Sequence, residues 1–360
     1  MKIAAVRVTP IRLRFAQPVR TAHGEFAERE SVLLELRDAD GLAGYGEAAP
    51  WPGFATESAA EAQDALRRLG GLLPGATIEP GEQPTAAGES WADRPAARAA
   101  LQGALLDLGA RRAGRPLAAY LAARAGSTCG APLSGVAANC LLTGRDPGEL
   151  HAQARRAQAS GYRAVKVKLG SASLATDVAR VGAVREGVGP TIRLRADANG
   201  AWSVREALAA LAALAPFDLE YVEQPVAAGD IAGLAQVRRG SAVRVAADES
   251  VASEGGMLKM LAAAAVDVVV LKPATLGGAE RALELAAGAR QAGMEVVFTH
   301  ALESAVGARH ALHCAAAWGD GAGVHGLVTA GLFAADVAAP LECRGGTVAV
   351  PDLPGIGVTP

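Results

Sequence analysis

From residue 134 onward the sequence repeats one pattern, a short apolar run followed by an alanine-rich amphipathic stretch. Apolar runs of this length predict buried parallel strands, and each amphipathic stretch predicts the helix that carries the chain back to the start of the next strand. Seven or eight such units at a regular interval favour a barrel over an open doubly wound sheet. The predicted strands are 135–142, 164–168, 192–198, 219–223, 243–248, 266–272 and 295–299, with a weaker one near 324–328.

The first third of the chain has a different pattern. Residues 2–15 and 30–36 alternate apolar and polar side chains, which predicts two antiparallel strands. Helical periodicity follows at 57–73, with Thr56 as the expected N-cap, and again at 94–112. Strands followed by helices predict an α+β unit.

Composition and charge exclude several classes of protein. A formal net charge of -2 over 360 residues leaves no basic field for nucleic acid or an acidic membrane. The longest apolar stretches are too short to span a bilayer, and arginines interrupt the amino terminus where a secretory signal needs an unbroken apolar run. We therefore expect a cytoplasmic protein. No nucleotide-binding glycine motif follows the first strand, and Cys129, Cys140, Cys314 and Cys343 lack CxxC spacing, which predicts reduced, structural thiols.

Lysine is rare in this chain and concentrated on the predicted strands. Only five of the 35 lysines and arginines are lysines, and three of the five are Lys166, Lys168 and Lys272. Lys2 and Lys259 lie elsewhere. An ammonium group can give up its proton where its surroundings favour the neutral amine, whereas a guanidinium group cannot. Composition bias would explain the number of lysines, but not their alternation with acids along consecutive strands.

Five consecutive predicted strands each end in a charged side chain, namely Lys168, Asp197, Glu223, Asp248 and Lys272. Barrel enzymes place their reacting groups at this carboxyl-terminal rim. A single acid at such a junction is typically a surface carboxylate or a helix N-cap. Three neighbouring carboxylates in a partly buried cleft would instead repel each other unless they shared a cation, and ligands that are all oxygen favour a hard ion. The pattern therefore predicts an Mg²⁺ site, with Mn²⁺ as a substitute ion.

The motifs at these strand ends resemble the muconate lactonizing enzyme subgroup of the enolase superfamily. The resemblance implies an α/β fold, a modified TIM barrel of the form (β/α)7β with an α+β amino-terminal capping domain. The matching segments are KVK at 166–168, DAN at 197–199, VEQP at 222–225, ADES at 247–250 and LKP at 271–273.

This resemblance also implies a domain organisation and a set of metal ligands. We place the capping domain at 1–130 and the barrel at 131–330. A carboxyl-terminal segment at 331–360, with a strand at 346–350, is expected to return to the capping domain. The expected partner is a small-molecule carboxylate, and a homo-oligomer is compatible with the sequence. The implied Mg²⁺ ligands are Asp197, Glu223 and Asp248.

Removing a proton alpha to a carboxylate adds negative charge to it, which a divalent ion stabilises. We assign Lys168 as the general base, and Lys166 as the neighbouring cation that favours its neutral amine. Lys272 is expected to face Lys168 across the substrate, as a second acid/base or as a stabilising charge. Asn199 and Glu249 are expected to orient the metal shell or the substrate, and a capping role for Asn199 fits equally well.

Sequence outside the metal motifs bears on the reaction. The segments AAPWPGFATES, LRADANGAW and HGLVTAGLF are most similar to o-succinylbenzoate synthases, which dehydrate 2-succinyl-6-hydroxy-2,4-cyclohexadiene-1-carboxylate in menaquinone biosynthesis. The alternatives are an N-acylamino acid racemase, a dipeptide epimerase or a muconate-type cycloisomerase. Dipeptide epimerases of this family usually carry an Asp-x-Asp pattern near the last strand, and residues 299–307 show none. A catalytically silent binding barrel is disfavoured because it would have no reason to keep a costly cluster of like charges.

Two loops of the first domain are expected to close the site and select the substrate. The loop TAHGEF contains His23, and the loop WPGF contains Phe54 and a glycine hinge, a composition typical of an apolar lid. Ordinary turn chemistry and domain packing explain these residues equally well. His300 and Glu303 follow the seventh predicted barrel strand near the same rim. Glu303 is expected to start a helix or support the site, and His300 to contact substrate or solvent.

Overall fold

The structure, a computed structural model, describes residues 1–21, 24–51, 54, 57–79, 81–82, 84, 90–126, 129–328 and 330–360. An antiparallel sheet with its helices forms the amino-terminal part, and a curled parallel sheet with alternating helices forms the rest. Among these residues no helix is both long enough and apolar enough to cross a membrane. All four cysteines are free thiols.

Three antiparallel strands open the chain, in the order β1 (Ile3–Thr21), β2 (Gly24–Asp38) and β3 (Ala43–Ala48). The two predicted strands are present and extend further than their alternating patterns, because cross-strand pairs such as Arg14 with Glu28 and Val19 with Phe26 continue the ladder. The sequence did not indicate β3, since two glycines within AGYGEA break the apolar alternation.

Three helices complete the amino-terminal part: α1 (Ala59–Gly70), α2 (Pro95–Arg112) and α3 (Leu117–Ala125). The two predicted helices correspond to α1 and α2. The predicted N-cap, Thr56, lies outside the described residues and was the wrong choice. Ser58 caps α1 instead, in a capping box with Glu61, whose side chain accepts a hydrogen bond from the backbone N–H of Ser58.

Helix α2 lies directly on strand β3. Gly44 and Gly46 leave no room for a side chain, since a Cβ atom on Gly46 would lie 1.9 Å from the carbonyl oxygen of Ala100. Leu34, Leu66 and other apolar side chains of the sheet and helices bury a core around this contact. The glycines of β3 are therefore a packing requirement of the capping part.

Strand β4 (Gly135–Ala137) precedes seven parallel strands whose order in space follows the sequence: β5 (Cys140–Leu142), β6 (Ala164–Lys168), β7 (Arg193–Asp197), β8 (Leu219–Glu223), β9 (Val245–Ala247), β10 (Val268–Leu271) and β11 (Glu295–Phe298). The intervening helices are α4 (Pro147–Ala159), α5 (Leu174–Val188), α6 (Val204–Leu214), α7 (Ile231–Gly240), α8 (Glu254–Ala263), α9 (Ala279–Gln291) and α10 (Ala305–Trp318). The strand predicted at 135–142 is divided into β4 and β5, and six others match within three residues at either end. This alternation bears out the predicted α/β fold class.

The sheet closes through isolated bridges where a weak eighth strand was predicted. His325 bridges to Ala138, and Gly326 bridges to Thr299 beyond β11, so residues 325 and 326 join the two edges of the parallel sheet. The bridge at Gly326 brings its backbone close to Thr299, since a Cβ on Gly326 would lie 2.5 Å from the hydroxyl of Thr299. A glycine in such a close approach is typical of an irregular strand.

The carboxyl-terminal segment contacts both parts of the molecule. Strands β12 (Cys343–Arg344) and β13 (Thr347–Ala349) form a small sheet with β4, so the strand predicted at 346–350 pairs with the barrel side. Contacts to the amino-terminal part come from its other residues. The buried carboxylate of Asp107 accepts hydrogen bonds from the backbone N–H groups of Tyr45 at 2.9 Å and Ile356 at 2.7 Å.

We predict that Gly46→Ala lowers the free energy of unfolding by about 3 kcal/mol, because the new methyl group forces β3 away from α2. Urea denaturation monitored by circular dichroism measures this loss. Gly255→Ala in α8 is the matched control, since no atom lies within 4 Å of its Cβ position. Equal stability of the two variants would contradict the packing role of Gly46.

Candidate active site

The carboxyl-terminal ends of five adjacent barrel strands carry the predicted charged residues. Lys168, Asp197 and Glu223 are the last residues of β6, β7 and β8, while Asp248 and Lys272 directly follow β9 and β10. Adjacent strands pair Lys168 with Asp197 and Asp197 with Glu223, so these side chains share one rim. The three carboxylates are at most 7% exposed.

Each buried carboxylate contacts a lysine. Lys166 Nζ donates to Glu223 Oε1 at 2.8 Å and lies 3.3 Å from Asp197 Oδ2. Lys168 Nζ lies 3.5 Å from the same oxygen of Asp197. Lys272 Nζ forms a short ion pair with Asp248 Oδ1. Lysines from β6 and β10 thus bracket the carboxylates from both sides.

Burial and mutual repulsion set the protonation of this cluster. Burial lowers the pKa of Lys166, but attraction to Glu223 and Asp197 outweighs it and holds that pKa well above its usual value. Burial raises the pKa of Glu223 to about 7, against the attraction of Lys166 and with repulsion from the other two acids. Burial likewise raises the pKa of Asp248 to about 6 despite Lys272. Lys166 therefore stays charged, and the lysines do not supply enough positive charge to keep the pKa values of Glu223 and Asp248 at their usual level.

The donor set fits a hard divalent cation. Three carboxylates from consecutive strands supply only oxygen ligands, and the lysines beside Glu223 and Asp248 do not offset the effect of burial, which keeps the pKa values of both acids raised. In the part of the chain that the structure describes, no three His, Cys, Asp or Glu side chains are grouped as a metal site, and the lysines contact the acids directly. The chemistry of the ligands, together with the strand register, is what favours a metal here.

Asn199 connects Lys168 to the loop after β9. Its Oδ1 accepts from Lys168 Nζ at 2.6 Å, and its Nδ2 donates to Glu249 Oε1 at 2.9 Å. Its own backbone N–H donates to Asp197 Oδ1 at 3.0 Å, which requires a left-handed backbone with φ of 45°. Asparagine adopts this conformation more readily than most residues. The side chain of Asn199 therefore links Lys168 to Glu249, and its role toward a metal shell or substrate stays a prediction.

Gln224 is a supporting residue that the sequence interpretation missed. Its fully buried amide donates to Ser250 Oγ at 2.8 Å, and its Oε1 accepts from the backbone N–H groups of Asp248 and Ser250 at 3.1 Å. The end of β8 thereby fixes the loop that carries Asp248. Its position beside Glu223 in the VEQP motif was the available signal.

His300 and Glu303, in the loop after β11, have structural partners. His300 Nε2 lies 3.3 Å from the carbonyl oxygen of Val328, and its Nδ1 accepts from the backbone N–H of Leu302 at 3.1 Å. Burial lowers the pKa of His300 to about 4. Burial raises the pKa of Glu303 to about 7, with repulsion from Glu47. The ring of His300 is therefore neutral and buried, and the expectation of a solvated ring does not hold.

Glu47 joins the capping part to the same loop and was not predicted. Its Oε1 accepts from the backbone N–H of Ser304 at 3.1 Å, and its Oε2 accepts from that of Gly307 at 3.0 Å. A carboxylate at this position caps the amino terminus of α10, and its negative charge interacts favourably with the helix dipole. The sequence gives little sign of this role, because helix and carboxylate are far apart in the chain.

Of the two predicted lid residues, one reaches the site. The Phe54 ring lies over Lys272, with Nζ 4.3 Å from the ring centroid. Such contacts between a cation and a ring stabilise the charged lysine and shield it from solvent. His23 lies outside the described residues.

Two family models match most of the chain. Residues 3–122 match the mandelate racemase/muconate lactonizing enzyme amino-terminal domain, and residues 149–360 match the enolase carboxyl-terminal domain-like model. A hydrophobic dipeptide epimerase of Enterococcus faecalis is 31% identical over 321 residues, 88% of each chain. An o-succinylbenzoate synthase of Thermobifida fusca is 45% identical over 186 residues, which cover 51% of this chain and 57% of that protein.

Solved structures of related proteins share the whole fold. The dipeptide epimerase of E. faecalis, crystallised with Mg and the dipeptide L-Leu-L-Tyr, superposes with a TM-score of 0.88 at 28% identity, covering 99% of both chains. The L-Ala-D/L-Glu epimerase of Bacillus subtilis gives a TM-score of 0.86 at 27% identity, covering 99% of this chain and 98% of that one.

We predict that His300 stays neutral from pH 8 to pH 5, because its folded pKa of about 4 lies below the roughly 6.5 of an unfolded histidine. Since the unfolded state binds the extra proton, the stability that this residue contributes is present at neutral pH and is lost as the pH falls from about 6.5 toward 4. Nitrogen-15 NMR of the ring measures the titration, with urea-unfolded protein as the control. A ring that titrates near the unfolded value would contradict its buried hydrogen bonds.

Proposed function

The chain belongs to the mandelate racemase/muconate lactonizing enzyme group of the enolase superfamily, and from that premise we propose that it removes a proton alpha to a carboxylate to give an enediolate. The observation that carries this proposal is the rim itself. Lys168 and Lys272 stand on either side of three buried carboxylates at the ends of consecutive strands. A base next to a charge-stabilising centre is the arrangement that such a proton transfer needs.

Asp197, Glu223 and Asp248 are the residues that would hold Mg²⁺. The ion would supply positive charge to the substrate carboxylate as negative charge develops on it. Related dipeptide epimerases of Enterococcus faecalis and Cytophaga hutchinsonii were crystallised with Mg and a dipeptide, which supports this choice of ion. Mn²⁺, with the same preference for oxygen, is proposed as a substitute.

Within this chemistry, we propose dehydration of 2-succinyl-6-hydroxy-2,4-cyclohexadiene-1-carboxylate to o-succinylbenzoate, a step of menaquinone biosynthesis. The amine of Lys168 takes the proton at C1, and the electron pair of that C–H bond moves into the carboxylate to give the enediolate. The same pair then forms the ring C1=C6 bond as the C6–O bond breaks, and the hydroxyl leaves as water with the proton returned by the Lys168 ammonium, which leaves an aromatic ring. Lys272 stabilises the opposite face, and Lys166 remains charged beside the base.

The choice of reaction rests on local similarity. Identity to o-succinylbenzoate synthases is 45–46% over about half the chain, against 31% to the dipeptide epimerase over 88% of it. Residues 299–307 also contain a single acid, Glu303, which is already hydrogen-bonded to the backbone of Ala301. A dipeptide ammonium group would need a free carboxylate near this strand end. Dipeptide epimerisation remains the second candidate, because that relative matches over the greater length.

The two reactions are separated by one pair of measurements. We expect the cyclohexadiene acid to be converted to an aromatic product, seen as a change in ultraviolet absorbance, and we expect only slow loss of optical rotation from dipeptides and N-succinyl amino acids. The control is protein treated with a chelator, which should lose both activities and regain them with Mg²⁺. Epimerisation of dipeptides without aromatisation would overturn the dehydratase proposal.

Lys168→Arg is predicted to lower kcat/KM nearly as far as Lys168→Ala, by roughly 10³-fold, because the site needs a side chain that can give up its proton. Lys259→Arg is the matched control, since Lys259 lies exposed on α8 away from the rim. Exchange of the substrate alpha proton in deuterated water, followed by NMR, isolates the proton transfer. Exchange that survives in Lys168→Arg at more than a tenth of the wild-type rate would show that another group is the base.

A further inference from the structure

We propose that Arg29 is a positioning residue, which holds Phe54 of the capping domain over Lys272 in the barrel. Arg29 lies on β2, outside the set of charges at the barrel rim. The proposal rests on the proposed function only in treating Lys272 as part of the active site. Its physical basis is a continuous series of contacts from the guanidinium of Arg29 to the ammonium of Lys272.

Arg29 joins two loops from different parts of the molecule. It is 2% exposed, and its guanidinium donates to the carbonyl oxygens of Ala49 at 2.5 Å and Pro50, at the start of the Phe54 loop. It also donates to the carbonyl oxygens of Leu302 at 3.1 Å and Ala301 at 3.3 Å, in the loop after β11. One planar side chain thereby fixes the distance between the backbone at Ala49 and Pro50 and the loop after β11.

Trp51 and Phe54 extend the series of contacts from Arg29 to Lys272. The guanidinium of Arg29 stacks over the ring of Trp51, 4.7 Å from its centroid. The carbonyl oxygen of Trp51 accepts from the backbone N–H of Phe54 at 3.0 Å. The ring of Phe54 then covers Lys272 Nζ at 4.3 Å. Trp51 and Phe54 therefore connect Arg29, a buried charge of the capping domain, to Lys272 at the active site.

The environment of Arg29 indicates a geometric role. Burial lowers the pKa of Arg29 to about 10, and the nearby acids Glu303 and Glu47 offset this cost only in part. Its hydrogen bonds go to backbone carbonyl oxygens in two directions, and the planar guanidinium group has N–H donors that point in both. The single ammonium group of lysine has no such planar set of donors. The structure retains a costly buried cation at the point where fixed spacing between two loops is needed.

The experiment measures how readily each lysine is methylated by formaldehyde and dimethylamine-borane, in the Mg²⁺-loaded full-length protein. The chain has five lysines, so peptide mass spectrometry resolves every site. We expect Lys272 to be methylated roughly tenfold faster in Arg29→Met and in Phe54→Ala than in the wild type, since both variants remove the aromatic cover. Exposed Lys259 and the deeply placed Lys166 should keep their wild-type rates.

A matched control is Arg37→Met. Arg37 lies on the same strand but is solvent-exposed, and it pairs with Glu35 at 2.5 Å. This variant should leave Lys272 protected. Arg29→Lys tests the planar set of donors, because it keeps a positive charge but cannot reach both loops, and it should expose Lys272 nearly as much as Arg29→Met.

Three results would overturn the proposal. Unchanged methylation of Lys272 in Phe54→Ala would show that Phe54 does not cover it, and this variant remains informative if Arg29→Met fails to fold. Unchanged methylation in a folded Arg29→Met would remove Arg29 from the series of contacts. Faster methylation of Lys166 together with Lys272 in Arg29→Met would mean a loosened barrel, and a purely structural role for Arg29.

Kinetics provide a second readout. A displaced lid should raise KM more than it lowers kcat, whereas a general loss of folded protein lowers kcat alone. The methylation assay needs no substrate, so its outcome is independent of which reaction the enzyme runs. Absence of aromatisation with the expected methylation pattern would contradict the proposed function and leave the role of Arg29 intact.

Discussion

The arrangement of the barrel rim depends on the repulsion among three buried carboxylates. Asp197, Glu223 and Asp248 are brought together because adjacent parallel strands end at the same level, and no rotation of a side chain can take them far apart. Such a cluster is tolerated only with positive charge close by. Lys166 supplies part of that charge from inside the rim, and Lys272 supplies more from the far side. Burial outweighs the lysines at Glu223 and Asp248 and raises their pKa values, whereas Lys166 and Lys168 outweigh burial at Asp197 and lower its pKa.

Two buried charges of the capping domain form the counterpart to this cluster. Glu47 and Arg29 approach the loop after β11 from the same sheet, one accepting from its N–H groups and the other donating to its carbonyl groups. Together with His300, they leave the loop little freedom to move. The carboxyl-terminal rim of the barrel is therefore bounded by a loop whose backbone contacts residues of both parts of the chain.

The sequence predicted most of the barrel strands well because they are short apolar runs, and five of them end at or next to a charged residue. The limits of β6 and β8 follow directly from this contrast. Prediction from the sequence failed at β3, where the glycines that α2 requires interrupt the apolar alternation. It also failed at the eighth strand, where isolated bridges replace a regular ladder. The five charged residues at the strand ends could be predicted, since parallel strands align their ends. Gln224 was signalled only by its position beside Glu223, while Glu47 and Arg29 could not be predicted, because their roles depend on partners that only the fold brings near, such as Ser304 for Glu47, 257 residues away.

The carboxylate of Asp107 has a consequence for how the molecule is made. It lies in α2, within the part of the chain that leaves the ribosome first, yet one of its hydrogen-bond donors is the backbone N–H of Ile356. Until that residue has been synthesised, this buried acid has only its partners in the amino-terminal part, Tyr45 and Arg111, and β4 lacks its neighbour β13. The amino-terminal part therefore gains one of its buried hydrogen bonds only when the end of the chain is in place.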